Sequence, residues 1–280
     1  MRYMKCRIIL TLIILSFPIG VSAQEKVFLE PALLECRYLE TVEADTVAHR
    51  MVPDTMVLQI GRNTSAFFSK DRVFVDSLRQ TRNGFNKWIA LMRQYLNEGH
   101  YQDLLSNDGA YYYLDYPEKG RVLVRTEVNG KGVAYEEERE AIAWEFRDSV
   151  ITVLGFECHL AEADFRGRHW LAWYTLEVPV SQGPWMLWGL PGLICEAYDD
   201  QRHYCYTLVS LTPDPAREIV LFNWKKSYEK KSRFEIYEAM SNNAELLRED
   251  ARQSGMGGWS NPGMAPGARI WIGNDRFHCQ

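Results

Sequence analysis

Residues 155–178 read Gly-Phe-Glu-Cys-His-Leu-Ala-Glu-Ala-Asp-Phe-Arg-Gly-Arg-His-Trp-Leu-Ala-Trp-Tyr-Thr-Leu-Glu-Val. Two runs of alternating character flank Arg166-Gly167-Arg168, where the glycine supplies the backbone freedom that a tight turn between antiparallel strands requires. The segment is a predicted β-hairpin, and the same signature recurs outward from it. Upstream lie Ala110-Tyr-Tyr-Tyr-Leu114, Val122-Leu-Val-Arg-Thr126, Val133-Ala-Tyr135 and Val150-Ile-Thr-Val-Leu154. Pro117-Glu-Lys-Gly120 and Asn129-Gly-Lys-Gly132 join several of them as turns. Met56–Gly61 and Ser65–Ser69 form an early hairpin. Leu193–Tyr198 and Tyr204–Val209 form a late one, with a further strand at Glu218–Phe222. Short strands joined by tight turns predict a meandering antiparallel sheet.

Two stretches break the pattern. From Asp71 to Glu98, the residues Val73, Leu78, Phe85, Trp88, Ile89, Met92 and Leu96 recur at mostly three- and four-residue spacing, predicting an amphipathic helix with Gly84 as a weak point or break. From Ser227 to Leu247 a charged segment carries Tyr228, Phe234, Ile236, Tyr237, Met240 and Leu246 at rough helical spacing. The expected class is α+β, mostly β: a large curved, half-barrel-like antiparallel sheet with one helix after the early hairpin and another near the C-terminus. A flat sheet with helices on one face is the competing architecture.

Residues 1–23 have the three parts of a secretory signal: Arg2, Lys5 and Arg7, then an apolar run from Ile8 to Phe17, then Val21-Ser-Ala23 as a cleavage site. The run is far shorter than the ~20 apolar residues of a membrane span. The expectation is cleavage before Gln24, no transmembrane segment afterwards, and a periplasmic or extracellular location. One β-rich domain is expected over 24–250, with 251–280 an irregular Gly/Pro-rich tail. The net charge of −5 falls to about −8 when the signal is lost, because 29 Lys and Arg then face 37 Asp and Glu. Such a chain lacks the basic footprint that nucleic acid requires. Five cysteines remain, an odd number, in a compartment that permits disulfides. Cys195 and Cys205 flank the Asp199–Arg202 turn and are the candidate pair.

The hairpin at 155–178 leads into Gly183-Pro-Trp-Met-Leu-Trp188 and then Gly189-Leu190-Pro191-Gly192-Leu193-Ile194. Pro191 fixes φ, while Gly189 and Gly192 permit a turn or a close approach closed to other residues. With Gly155–Ala161, Phe165–Arg168 and Trp170–Pro179, this block closely resembles the GLPGLI family of Gram-negative bacteria, which is named for the hexapeptide and has no assigned activity. The resemblance implies an early strand pair ending in a Ser-x-Phe element and an envelope role beside an outer-membrane receptor or transporter.

Phe165, Trp170, Trp173, Trp185 and Trp188 are candidate ligand-binding residues, since clustered aromatics offer broad, shape-fixed contact. The bland account is core packing. On strand alternation Trp170 and Trp173 face opposite ways, so one of them is exposed, covered by another element, or set in a groove. Both arginines of Arg166-Gly-Arg168 are expected in water at a hairpin tip. His203 and Cys205 share a strand face and are weak metal-ligand candidates, without the spacing of a four-ligand site. His159, His169, Cys158 and Cys195 add softer donors but no motif. No Gly-x-Ser-x-Gly context occurs, and Ser181 lacks partners at a triad-like spacing. Glu157, Glu162, Asp164 and Glu177 are read as a charged outer face, and Glu136–Glu140 as a solvated strand end. No catalytic residue, cofactor or resident metal is assigned. The expected function is non-catalytic binding of an envelope partner. Carriage of a lipid or other hydrophobic ligand is the alternative, and a metal-binding or hydrolytic role ranks behind both.

Overall fold

The structure is a computed structural model that describes residues 26–45, 49–98, 109–240 and 242. The expected signal, the Gly/Pro-rich tail, Cys6 and Cys279 lie outside the described residues. The chain is mostly β. Its frame is a 12-stranded sheet in which every pairing but one is antiparallel.

The first strands of this sheet are β2 (Leu34–Asp45), β3 (Arg50–Ile60) and β4 (Ser65–Ser69), and β3 with β4 forms the expected early hairpin. Two helices intervene before β5 (Tyr111–Leu114), β6 (Arg121–Val128) and β7 (Lys131–Glu138). A second run supplies β8 (Glu145–Val153), β9 (Phe156–Phe165), β10 (Arg168–Thr175), β11 (Leu193–Asp199) and β12 (Tyr204–Pro213). Strand β12 pairs with β2 and joins the two runs into one sheet that does not close. Its ends are β8 and the two-residue strand β14 (Glu229–Lys230), which lies parallel to β7.

Side-chain alternation sorts the sheet into two faces. The inner face carries Cys36, Tyr38, Leu58, Phe67, Tyr112, Val124, Tyr135, Trp170, Ala197 and Tyr206, all buried in one large core. The opposite face of β3–β7 presents Val57, Phe68, Tyr111, Tyr113, Leu123 and Ala134 to a second core. A separate two-stranded sheet covers that second core. It pairs β1 (Lys26–Pro31) with β13 (Glu218–Phe222), strands far apart in sequence. Phe222 fixes this cover: its N–H donates to the Tyr113 hydroxyl at 2.9 Å, and its ring meets Phe68 at 5.5 Å.

The predicted helix over 71–98 is two helices, α1 (Lys70–Arg79) and α2 (Gly84–Glu98). Ser69 caps α1 by accepting from the Arg72 N–H at 3.1 Å, with Asp71 in the first turn and Arg79 in the last, matching the helix dipole. Buried Asp76 anchors α1 to the sheet, accepting from Arg72 Nε at 2.7 Å and from the Tyr111 hydroxyl at 2.8 Å. Near the C-terminus, β14 interrupts the expected 227–247 helix. A third helix, α3, is described over 233–240, and it sends Ile236 and Tyr237 into the inner core. Among the described residues no helix is long and apolar enough to cross a membrane.

Candidate functional site

Between β10 and β11 the chain crosses the inner face as a loop that holds the aromatic run and the hexapeptide. Trp185, Met186, Leu187 and Leu190 are all buried in the inner core. The loop is closed by its own backbone. Leu187 N donates to Pro184 O at 3.1 Å, Leu193 N to Val178 O at 2.9 Å and Ile194 N to Gln182 O at 3.0 Å. The two glycines do different work. Gly189 takes φ +98°, a turn conformation that L side chains rarely adopt. At Gly192 the constraint is contact, since a Cβ there would lie 1.8 Å from the Thr175 carbonyl oxygen. Trp185 also has positive φ, at 54°, which costs roughly 1–2 kcal/mol for a residue with a Cβ. Packing offsets that cost: its ring lies 5.7 Å from both Phe165 and Trp170.

Phe165, Trp170, Trp173 and Trp185 are buried, and Trp170 and Trp185 are fully so. Trp170 stacks on Tyr206 at 6.4 Å and meets Trp185 in a tilted contact at 5.7 Å, so neighbouring protein rings cover it. Trp173, on the opposite side of β10, is covered: only 8% exposed, its Nε1 donates to the Tyr198 hydroxyl at 3.5 Å. Trp188 is the partly exposed member of the group. Its Nε1 donates to Glu140 O at 2.9 Å, and the Arg139 guanidinium sits 4.2 Å above its ring.

The turn at 166–168 overturns the expectation of solvated arginines. The Arg166 side chain is 3% exposed and pairs with Glu137, with Glu140 at 3.7 Å. Arg233 of α3 reaches the same two carboxylates at 3.5 and 4.0 Å. Part of the Glu136–Glu140 run is therefore tied into an ion network and is not a free strand end. Arg168 and Asp199 form a pair with both side chains at 0% exposure, 2.6 Å apart. Asp199 also accepts from Tyr204 N at 2.9 Å, and His203 stands between Asp199 at 3.6 Å and Glu43 at 3.2 Å. Buried charge persists only when paired, and the partners here come from other hairpins and from α3. Local sequence gave no sign of them.

His203 is thus engaged by two carboxylates, while the Cys205 thiol turns to Arg202 O at 3.7 Å. Among the described residues no group of three His, Cys, Asp or Glu is arranged to hold a metal ion. Strand register sets Cys205 opposite Tyr198, and therefore away from Cys195. The four cysteines of the described chain are free thiols. Cys195 instead meets Cys158, and that thiol contact, with burial, pushes its pKa up. Burial pushes Cys36 up to about 12, with neighbouring Glu35 adding to the shift.

The most open part of the region is β8. Phe146 pairs with Ala161 and Val150 with His159, so four steps along β8 span two along β9, and Arg147, Asp148 and Ser149 bulge outward. Arg147 holds Glu145 at 2.7 Å and Glu162 at 2.9 Å. Phe146 is 61% exposed and Val150 54%. The Phe146 ring meets Tyr174 at 6.1 Å, and Tyr174 meets His159 at 5.9 Å, forming an aromatic row across the last three strands of the sheet. The remaining carboxylates of this hairpin are tied locally. Asp164 hydrogen-bonds His169 at 2.8 Å and raises its pKa, and Glu177 accepts from Glu157 N at 3.0 Å.

Residues 157–196, which contain this hairpin and the hexapeptide, match a family described as a protein of unknown function (Porph_ging). Among curated proteins nothing matches. Among solved structures, PNGF-II in space groups P21 and C2 aligns with a TM-score of 0.47 and 11% identity, over 74% of this chain and 32% of that one. The chain thus spans about a third of the length of PNGF-II, and a likeness at that level assigns no residue a role.

Proposed function

We propose that this chain is an exported, non-catalytic binding protein of the bacterial cell envelope, a member of the GLPGLI family, that engages a protein partner at the β8 end of its sheet. One observation carries the reading: β8 is the end strand of a large open sheet and keeps Phe146 and Val150 in solvent beside an aromatic row. Single exposed apolar residues are ordinary, whereas two on one unpaired edge strand, backed by an aromatic group on the strands behind it, are what an incoming extended segment can use. The bulge at Arg147–Ser149 guards half of the strand against indiscriminate pairing. Val150–Val153, in regular register with β9, leaves the other half able to accept a strand. The carrier alternative has less support, because Trp170 and Trp185 pack on each other and Trp170 on Tyr206.

The test is a photo-crosslinking residue at position 146 of the full-length chain, expressed in its native host, with position 119 as an exposed control far along the sheet. A discrete protein adduct from 146 that is absent from 119 is expected. Equal labelling from both positions, or none from 146, overturns the reading.

A further inference from the structure

We infer that α2 is a docking surface for an anionic lipid membrane. From Ser77 to Asn97 the chain has no Asp or Glu but carries Arg79, Arg82, Lys87 and Arg93, in a protein whose net charge is −5. Arg79 is occupied, pairing with Asp76 and lying 4.7 Å over the Trp88 ring. Arg82, Lys87 and Arg93 are exposed, and none of them makes an ion pair among the described residues. Unlike the buried arginines of the β9–β10 turn, these cations are available.

Apolar patterning supplies the second half. Phe85, Trp88, Ile89 and Met92 share one stripe of α2 by their three- and four-residue spacing, with Arg93 exposed beside it and Asn86, Ala90 and Lys87 exposed round the rest of the helix. In a helix committed to a protein core this stripe would be covered. Here Trp88, Ile89 and Met92 are only half-buried, Phe85 is 63% exposed, and Phe74 of the adjoining α1 is 53% exposed. The α2 helix packs chiefly on α1, and α1 is held to the sheet through Asp76, Arg72 and Tyr111. The stripe is therefore mounted on a fixed support.

A protein groove would need the apolar stripe but not flanking cations of a single sign. The surface of an anionic bilayer takes both: headgroups meet Lys and Arg, and Phe and Trp enter the interface. The inference rests on the envelope reading only for location, and it concerns a different surface from β8. Crosslinking from 146 and vesicle binding through α2 can therefore fail independently.

The experiment is co-sedimentation of the mature full-length protein with phosphatidylglycerol vesicles and, separately, phosphatidylcholine vesicles. Binding to the first at least about tenfold tighter than to the second is expected at low salt. The double variant Lys87→Gln/Arg93→Gln should weaken binding to phosphatidylglycerol roughly thirtyfold, and Phe85→Ser roughly tenfold. All three side chains are exposed, so thermal melts should match the parent. If a melt does not, Arg82→Gln in the preceding turn reads the same charge effect at roughly fivefold. Equal binding to both vesicle types, no binding, or binding indifferent to these substitutions overturns the inference. So does a protein adduct captured from position 85 in a lipid-free extract, which would assign α2 to a protein partner.

Discussion

The turn of the β9–β10 hairpin and the β8 strand laid along it invert the usual placement of side chains. At the turn, Arg166 and Arg168 are buried. On β8, Phe146 and Val150 stand in solvent. Intrinsic polarity does not decide this; the supply of partners does. Glu137, Glu140 and Asp199 arrive at the turn from other hairpins and neutralise both guanidinium groups, while α3 and the aromatic loop exclude water. No described strand lies beyond β8. The lesson is that a buried charge in this fold marks a finished contact, and an exposed aromatic marks an unfinished one.

The comparison breaks most sharply at Arg168 and Asp199. Removing one partner with Asp199→Ala leaves a guanidinium buried at 0% exposure and strips an acceptor from Tyr204 N. A loss of about 3–5 kcal/mol in denaturant unfolding is expected. Replacing both, Arg168→Met with Asp199→Leu, should recover most of that loss, because the penalty belongs to the unpaired charge. Next in size is the hexapeptide. Gly192→Ala forces a Cβ to within 1.8 Å of the Thr175 carbonyl and should cost about 3 kcal/mol as β10 and β11 separate. Gly189→Ala meets nothing closer than 3.6 Å and suffers only its positive φ, so about 1 kcal/mol is expected. If the two glycine variants melt together, the distinction between contact and turn fails.

These residues also mark how far the sequence could be read. Alternation and turn chemistry are local, so the strands around Asn129-Gly130 and Arg166-Gly167 were legible, as was the helical insert after Ser69. Gly84 signalled the division of that insert, and the chain breaks there into two helices. Pairings between distant segments were not legible. Nothing near Lys26 indicates that β1 meets β13, and nothing near Arg166 points to Glu137, which it shares with Arg233 of α3. Alternation, which set Trp170 and Trp173 on opposite sides, could not tell that both are buried in the same core. In β4 and β5 every residue is buried, because the second core covers the face that a solvated sheet would leave open.

The smallest expected effect is the most discriminating. Phe146→Ser removes a ring that is 61% exposed and that meets the Tyr174 ring. If β8 is an unfinished contact, folding should barely register the change: within about 0.5 kcal/mol of the parent in denaturant unfolding. Capture of a partner by a crosslinker at position 150, two pleats along the same strand, should nevertheless fall sharply in that variant. A stability loss of several kcal/mol would instead place Phe146 among the finished contacts, beside Trp170. The edge would then be closed by the chain's own packing, and the difference between turn and flank would lose its functional meaning.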